Sequence, residues 1–246
     1  MLSNKKYIFF DLDDTLFDFN LSSKFSLELV FKEHILPLDL KEYGFKKFFE
    51  FYKRINSDLW TKYRENKVSK EFLEVHRFSD TLEKLEIHED DGFSSNLNTI
   101  YLDILSKQRN TVKNAVGTLE YLYRKYPLGI ITNGFDTVQR KKLNSCMLTD
   151  YFKHIVTSEK AGALKPSRQI FDYAISLTGL NRSEIVFVGD EFDVDIKGAN
   201  ESGITGIWLN TGNEQTDSHL KYIEIKDLSD LKKFFWLLIS SKLLLE

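Results

Sequence analysis

Four short apolar runs punctuate the chain: Tyr7–Phe10, Leu128–Ile131, Ile185–Val188 and Thr205–Leu209. Each is followed by small or polar residues, as buried strands closed by turns are. Phe152–Val156 is a fifth, weaker run of the same kind. Between them the spacing becomes helical and predicts helices over Ala115–Lys125, Asp136–Leu143, Arg168–Leu177 and Asp193–Ser202. Continuous apolar strands alternating with helices of this length form a parallel sheet covered on both faces. The expected fold class is α/β.

The stretch 17–109 breaks the alternation. It has no comparable strand and is rich in Phe, Tyr, Leu, Lys and Glu. Phe45, Phe48, Phe49 and Tyr52 recur at three- and four-residue steps, and Phe72, Val75 and His76 do the same. Both stripes read as buried helix faces rather than as a ligand box. The expected organisation is a core of residues 1–16 and 110–246 with an inserted all-helical cap domain, 17–109, over the active edge of the sheet. Near the other end, Phe234–Ile239 is apolar, but Ser240, Ser241 and Lys242 interrupt it. A membrane span needs roughly 20 apolar residues, so a docked terminal helix is expected there.

Composition narrows the function classes. Hydrophobic residues make up 42% and charged residues 29% of 246, and the formal net charge is -3. That balance suits a folded globular chain and lacks the basic footprint of a nucleic-acid polymer binder. Small anionic substrates need only a few local cations, so they remain open. Cys146 is the single cysteine, which excludes an intrachain disulfide and fits a reducing, cytoplasmic setting. The apolar run after Met1–Lys6 is too short for a signal peptide, and no membrane partner is expected. The five histidines are scattered without ligand spacing, which argues against zinc.

Ligands of parallel sheets gather at the carboxyl ends of the strands. The chemistry-bearing residues sit there: Asp11-Leu12-Asp13-Asp14-Thr15 after the first run, Thr132-Asn133-Gly134 after the second, Gly189-Asp190-Glu191 after the third. Asp11 and Asp13, two apart in an extended segment, point the same way. Two such carboxylates can hold a hard cation and divide the work of nucleophile and acid/base. An acidic turn would look the same if they stood alone. Thr132 and Asn133 supply short donors for a phosphate oxygen, or a turn into the next helix. Lys165, before Pro166 and a helical pattern, places a cation at a helix entrance, where anions are favoured. Asp190, Glu191, Asp193 and Asp195 crowd one short segment and would repel one another without a cation. Mg²⁺ takes oxygen ligands and keeps several waters, so one or two carboxylates plus phosphate suffice. Asp190 is the expected ligand, Asp195 the group that steers Lys165 or a metal-bound water, and Glu191 can do either.

Together and in this order, the four blocks resemble the haloacid dehalogenase superfamily of aspartate-nucleophile phosphatases. The resemblance covers the Rossmann-like core, a little over half the chain. It implies Asp11 as nucleophile, Asp13 as general acid/base, and Thr132 and Lys165 as ligands of the phosphoryl group. It also implies Mg²⁺ held by the Asp11 side chain, the Asp13 backbone carbonyl and Asp190. The insert resembles the family's helical type 1 cap. Ser158–Pro166 with Ile170-Phe171, and Ile131–Phe135, resemble the pyrimidine 5′-nucleotidase branch. Glu191 departs from the family, where a serine is usual. The implied activity is Mg²⁺-dependent hydrolysis of a small phosphorylated metabolite, a (deoxy)nucleoside monophosphate foremost, with sugar-phosphate hydrolysis or phosphomutase chemistry as alternatives. Dehalogenation needs neither Asp13 nor Asp190, and a non-catalytic phosphate binder needs no nucleophile. Phe17, Trp60, Tyr63, Arg64 and Arg77 are candidates to meet a nucleobase, against a plainer reading as core packing or solvated charge. The aromatic-rich insert can support a homodimer.

Overall fold

The computed structural model describes residues 2, 4–38, 44–216 and 219–235. In chain order the elements begin with β1 (Tyr7–Phe10), α1 (Phe19–Val30), α2 (Phe45–Arg64), α3 (Lys70–Glu83), α4 (Asp91–Ser106) and α5 (Ala115–Tyr123). There follow β2 (Leu128–Thr132), α6 (Asp136–Ser145), β3 (Phe152–Thr157), α7 (Ser158–Ala161), α8 (Arg168–Ser176) and β4 (Ile185–Gly189). The last are α9 (Lys197–Glu201), β5 (Thr205–Leu209), β6 (Tyr222–Ile225) and α10 (Leu231–Phe234). The chain forms two compact units, Met1–Phe19 with Arg109–Glu246, and Asn20–Gln108.

The first unit is a Rossmann-like layer of six parallel strands in the order β3-β2-β1-β4-β5-β6. Every residue of β1, β2 and β4 is buried, which is why these strands read as unbroken apolar runs. One face of the sheet carries a cluster that includes Phe9, Ile131, Ile170, Phe171 and Phe187, with the last two rings edge-on at 5.4 Å. Each such side chain contributes about 1.5–3 kcal/mol on burial. The sequence reading missed β6, an edge strand with one fully buried position and no continuous apolar run. Of the apolar stretch Phe234–Ile239, residues 236–239 lie outside the described residues; Phe234 ends α10.

The topology fixes where chemistry can occur. From β1 the chain moves outward through β2 to β3, then returns to place β4 on the other side of β1. The crevice at the carboxyl ends of β1 and β4 is thus the switch point where parallel sheets bind ligands. Just beyond β1 the chain leaves and re-enters this unit as a short ribbon. Asp18 N–H donates to Asn110 O (3.0 Å), Val112 N–H to Leu16 O (2.9 Å), and Phe17 bridges Thr111.

The second unit is α-helical in its regular elements, with short π and 3₁₀ turns after α1. Ser69 caps α3 by accepting from Phe72 N–H (3.1 Å), and Asp90 caps α4 by accepting from Phe93 N–H (2.7 Å). The α2 stripe is core at Phe48 and Tyr52, which are buried and lie in a chain of ring contacts reaching Phe31, Phe78 and Tyr101, while Phe45 and Phe49 are half-buried beside them. The α3 stripe is not. Phe72 is exposed and stacks on His76, while Leu73, Arg77, Phe78, Thr81 and Leu82 face inward. An aromatic pair four residues apart on the outer face mimics a core stripe in the sequence.

Candidate active site

Asp11 prolongs β1: its N–H donates to Val188 O at 2.8 Å, continuing the β1–β4 ladder one step past the strand. Asp190 follows β4 directly, so the two carboxylates leave neighbouring strands side by side. Thr15, four residues past Asp11, donates its hydroxyl to Asp190 Oδ1 at 2.8 Å and ties the two segments together. Between them, Asp14 takes a left-handed conformation (φ 55°), the sharp turn that the local Asp-Asp-Thr sequence accommodates.

Lys165 arrives from the segment joining α7 to α8 and is almost wholly buried, 2% exposed. Its Nζ lies 2.6 Å from Asp11 Oδ1 and 2.7 Å from Asp195 Oδ1. Burial alone would lower its pKa, but the charges of Asp11 and Asp195 and their hydrogen bonds outweigh that and raise it. Asn133 sets its backbone: Lys165 N–H donates to Asn133 Oδ1 (2.6 Å), and Asn133 Nδ2 donates to Lys165 O (3.0 Å). The Asn133 side chain thus clamps the lysine loop through its oxygen and one of its two amide protons.

Asp195 sits in a five-residue π-helical turn, Phe192–Ile196, before α9, where a single helix Asp193–Ser202 was expected. Such turns recur at functional sites because they re-aim a side chain. Here the turned carboxylate lies against Gly189, where a Cβ would fall 2.3 Å from Asp195 Oδ2. Only glycine leaves that space. Glu191 donates its backbone N–H to Asp195 Oδ2 (3.2 Å), and its side chain is exposed. Its carboxylate is not among those that gather.

The gathered acids are Asp11, Asp190 and Asp195, each offering an oxygen within 4.8 Å of the others. Burial first, then the charge of Asp195 and of Asp11, hold Asp190 well above the usual carboxylate range. Burial likewise raises Asp11, with Lys165 opposing and Asp195 reinforcing the shift. When ionised, three carboxylates face one ammonium and leave two negative charges uncancelled. That excess, and a donor set made only of oxygen, match a hard divalent cation such as Mg²⁺.

Asp13 points its carboxylate to a different set of partners. Lys142 Nζ donates to Oδ1 (2.6 Å) and Gln139 Nε2 to Oδ2 (2.9 Å). Thr132, 1% exposed at the end of β2, accepts from Gln139 Nε2 at 2.7 Å. Thr15, Gln139 and Lys142 were not foreseen. Gln139 and Lys142 share one face of α6 through their three-residue spacing, but nothing in the sequence marks that polar face as the buried one. Among the nucleobase candidates, Phe17 belongs to the first unit and is fully buried, and Arg77 is buried and bonded to Asn98 within the helical unit. Both serve as core. Trp60, Tyr63 and Arg64 are partly exposed, with Trp60 edge-on to Tyr63 at 5.7 Å.

The model of a protein family described as haloacid dehalogenase-like hydrolase matches residues 8–209. The chain belongs to the haloacid dehalogenase-like hydrolases. Within them it is similar to pyrimidine 5′-nucleotidase YjjG of Escherichia coli, with 31% identity over 85% of this chain and 88% of that one. It is also similar to glyceraldehyde 3-phosphate phosphatase of Methanothermobacter thermautotrophicus, with 29% identity over 93% and 98%. Among solved structures, that of the HAD-hydrolase YfnB of Bacillus subtilis, bound to magnesium, superposes with a TM-score of 0.82 at 27% identity over 94% of this chain and 98% of that one. This haloacid dehalogenase-like hydrolase thus shares its fold and family with nucleotidases and phosphatases, as a phosphoric monoester hydrolase does. No helix among its described residues is long and apolar enough to cross a membrane.

Proposed function

We propose that the chain is a Mg²⁺-dependent phosphatase that cleaves small phosphomonoesters through an aspartyl-phosphate on Asp11. One observation carries the reading: Asp11, Lys165 and the segment holding Asp190 and Asp195, remote from one another in sequence, meet in a largely buried cluster at the switch point of the sheet. In this scheme Asp11 and Asp190 would hold Mg²⁺, with the Asp13 backbone carbonyl as the third protein ligand and Asp195 close by. The ion supplies charge neutralisation to the phosphoryl oxygens.

The chain's own groups divide the rest. An oxygen of the Asp11 carboxylate attacks phosphorus, the bond to the ester oxygen breaks, and the departing oxygen takes a proton from the Asp13 carboxyl. Water then attacks the phosphoryl group, gives its proton to Asp13, and releases phosphate as Asp11 is regenerated. Lys165 offsets repulsion between the anionic nucleophile and the anionic ester, and it aligns the Asp11 oxygen that it binds. Thr132 donates to a phosphoryl oxygen.

The similarity to YjjG supports (deoxy)nucleoside monophosphates as the substrate class, and that to glyceraldehyde 3-phosphate phosphatase supports a small sugar phosphate as the second reading. We assign substrate choice to the helical unit, because the chemistry is complete without it. The test is phosphate release from p-nitrophenyl phosphate with Mg²⁺, then from a panel holding dUMP, dTMP and glyceraldehyde 3-phosphate. Turnover that survives EDTA removes the metal from the scheme. Halide release from 2-haloacids without phosphate release replaces it altogether.

A further inference from the structure

Helix α6 buries two polar side chains to which the proposed reaction gives no role. Gln139 is fully buried and Lys142 is 3% exposed. Burying an ammonium or an amide is unfavourable unless each is paired, so their partners indicate what they are for. Lys142 takes Asp13 Oδ1, with the rings of Phe17 and Phe19 at 5.0 and 5.1 Å from its Nζ. Gln139 takes Asp13 Oδ2. Both oxygens of one carboxyl are therefore gripped from a single helix face, which leaves that side chain little rotational freedom.

Gln139 also reaches a second element. The same Nε2 donates to Thr132 Oγ1, which accepts as well from Gly134 N–H at 3.3 Å. A hydroxyl has two lone pairs and one proton. With both lone pairs engaged, Thr132 has only donation left, which is what a phosphoryl oxygen requires. Gly134 makes the arrangement sterically possible, since a Cβ there would fall 2.4 Å from the Gln139 side chain. Gln139 Oε1, meanwhile, is buried without a hydrogen-bond partner among the described residues. A leucine would fill the same space with no unmet acceptor, so stability alone does not account for an amide here.

We propose that Gln139 and Lys142 are positioning residues: they hold the Asp13 carboxyl in the one orientation that proton transfer to the leaving oxygen requires, while Thr132 keeps its proton for donation whether or not Gln139 is present. The proposal rests on the reading of Asp13 as general acid/base.

The test compares phenyl phosphate with p-nitrophenyl phosphate, whose leaving group needs little protonation, at saturating Mg²⁺. The variants are Gln139→Leu, Lys142→Met, Asp13→Asn and the two combinations with Asp13→Asn. The quantity is kcat/KM, which covers departure of the leaving group. Gln139→Leu and Lys142→Met are expected to lower it about 10- to 100-fold for phenyl phosphate and less than about threefold for p-nitrophenyl phosphate. Added to Asp13→Asn, neither lowers it further, because there is no acid left to position. An equal loss on both esters, no loss, or a full additional loss on top of Asp13→Asn overturns the proposal. If Asp13→Asn itself lowers both esters equally, the acid role falls and the proposal with it. If Asp13→Asn discriminates and the α6 variants do not, only the positioning role falls. Should Lys142→Met not fold, Gln139→Leu, which removes no charge, decides alone.

Discussion

Replacing Asp190 by Asn is expected to stabilise the metal-free protein while abolishing its response to Mg²⁺. The substitution keeps the oxygen that accepts from Thr15 and removes one of three crowded charges. Two unit charges 4.8 Å apart repel by about 3 kcal/mol at an effective dielectric constant of about 20. Asp190 has two such neighbours, and Lys165, bound to both, offsets roughly one of them. The net relief, complete only where the carboxyl is ionised, is about 1–3 kcal/mol, or about 2–4 °C in Tm per kcal/mol for a chain of this size. The pH dependence has a definite sign. The folded carboxyl has a raised pKa, so above the ordinary 3.8 unfolding releases a proton and stability falls as pH rises. Asn has no such proton, so the variant's advantage in EDTA widens with pH up to the raised value. With Mg²⁺ the order reverses, since wild type gains about 4.1 kcal/mol at a thousandfold excess over Kd and the variant little. Thermal melts followed by circular dichroism from pH 5 to 8, with EDTA and with Mg²⁺, read all of this. A variant that melts below wild type in EDTA at every pH, or that gains as much from Mg²⁺, refutes the picture of a cation-balanced acidic cluster.

Three further outcomes are expected. Asp11→Asn eliminates phosphate release while leaving the far-ultraviolet spectrum unchanged; turnover near wild type would reject the covalent route. Lys165→Met strands Asp11 and Asp195 without their buried counter-charge and lowers stability by about 3–5 kcal/mol, read by urea unfolding. Gly189→Ala drives a methyl against the Asp195 carboxylate and raises the Mg²⁺ concentration for half-maximal activity about 10- to 100-fold, with a stability loss of only about 1–3 kcal/mol.

Legibility followed physical cause. β1, β2 and β4 were readable because burial on both faces makes a strand uniformly apolar, and the acids after them were readable because strand ends are where ligands bind. That Lys165 joins them needed the family resemblance, since a lysine before a proline is otherwise ordinary. Other features were opaque because they depend on which face turns inward. Gln139 and Lys142 look like a solvated helix surface but are buried, and Phe72 and His76 look like a core stripe but are exposed and half-buried. The clamp that Asn133 makes on the Lys165 backbone was equally hidden, because a turn residue and a loop clamp have the same composition. Edge strand β6 was lost for want of burial.

The paired ribbon at residues 16–18 and 110–112 has an evolutionary consequence. Because exit and return are stitched together by main-chain bonds, the two ends of the insertion are held side by side irrespective of what the intervening peptide encodes. The helical segment is a cassette inserted between two chain ends that are already joined. Under the proposed division of labour, drift, recombination or a designer can swap its contents and so retarget the enzyme, while selection on the proposed hydrolytic residues continues on the other side of the seam.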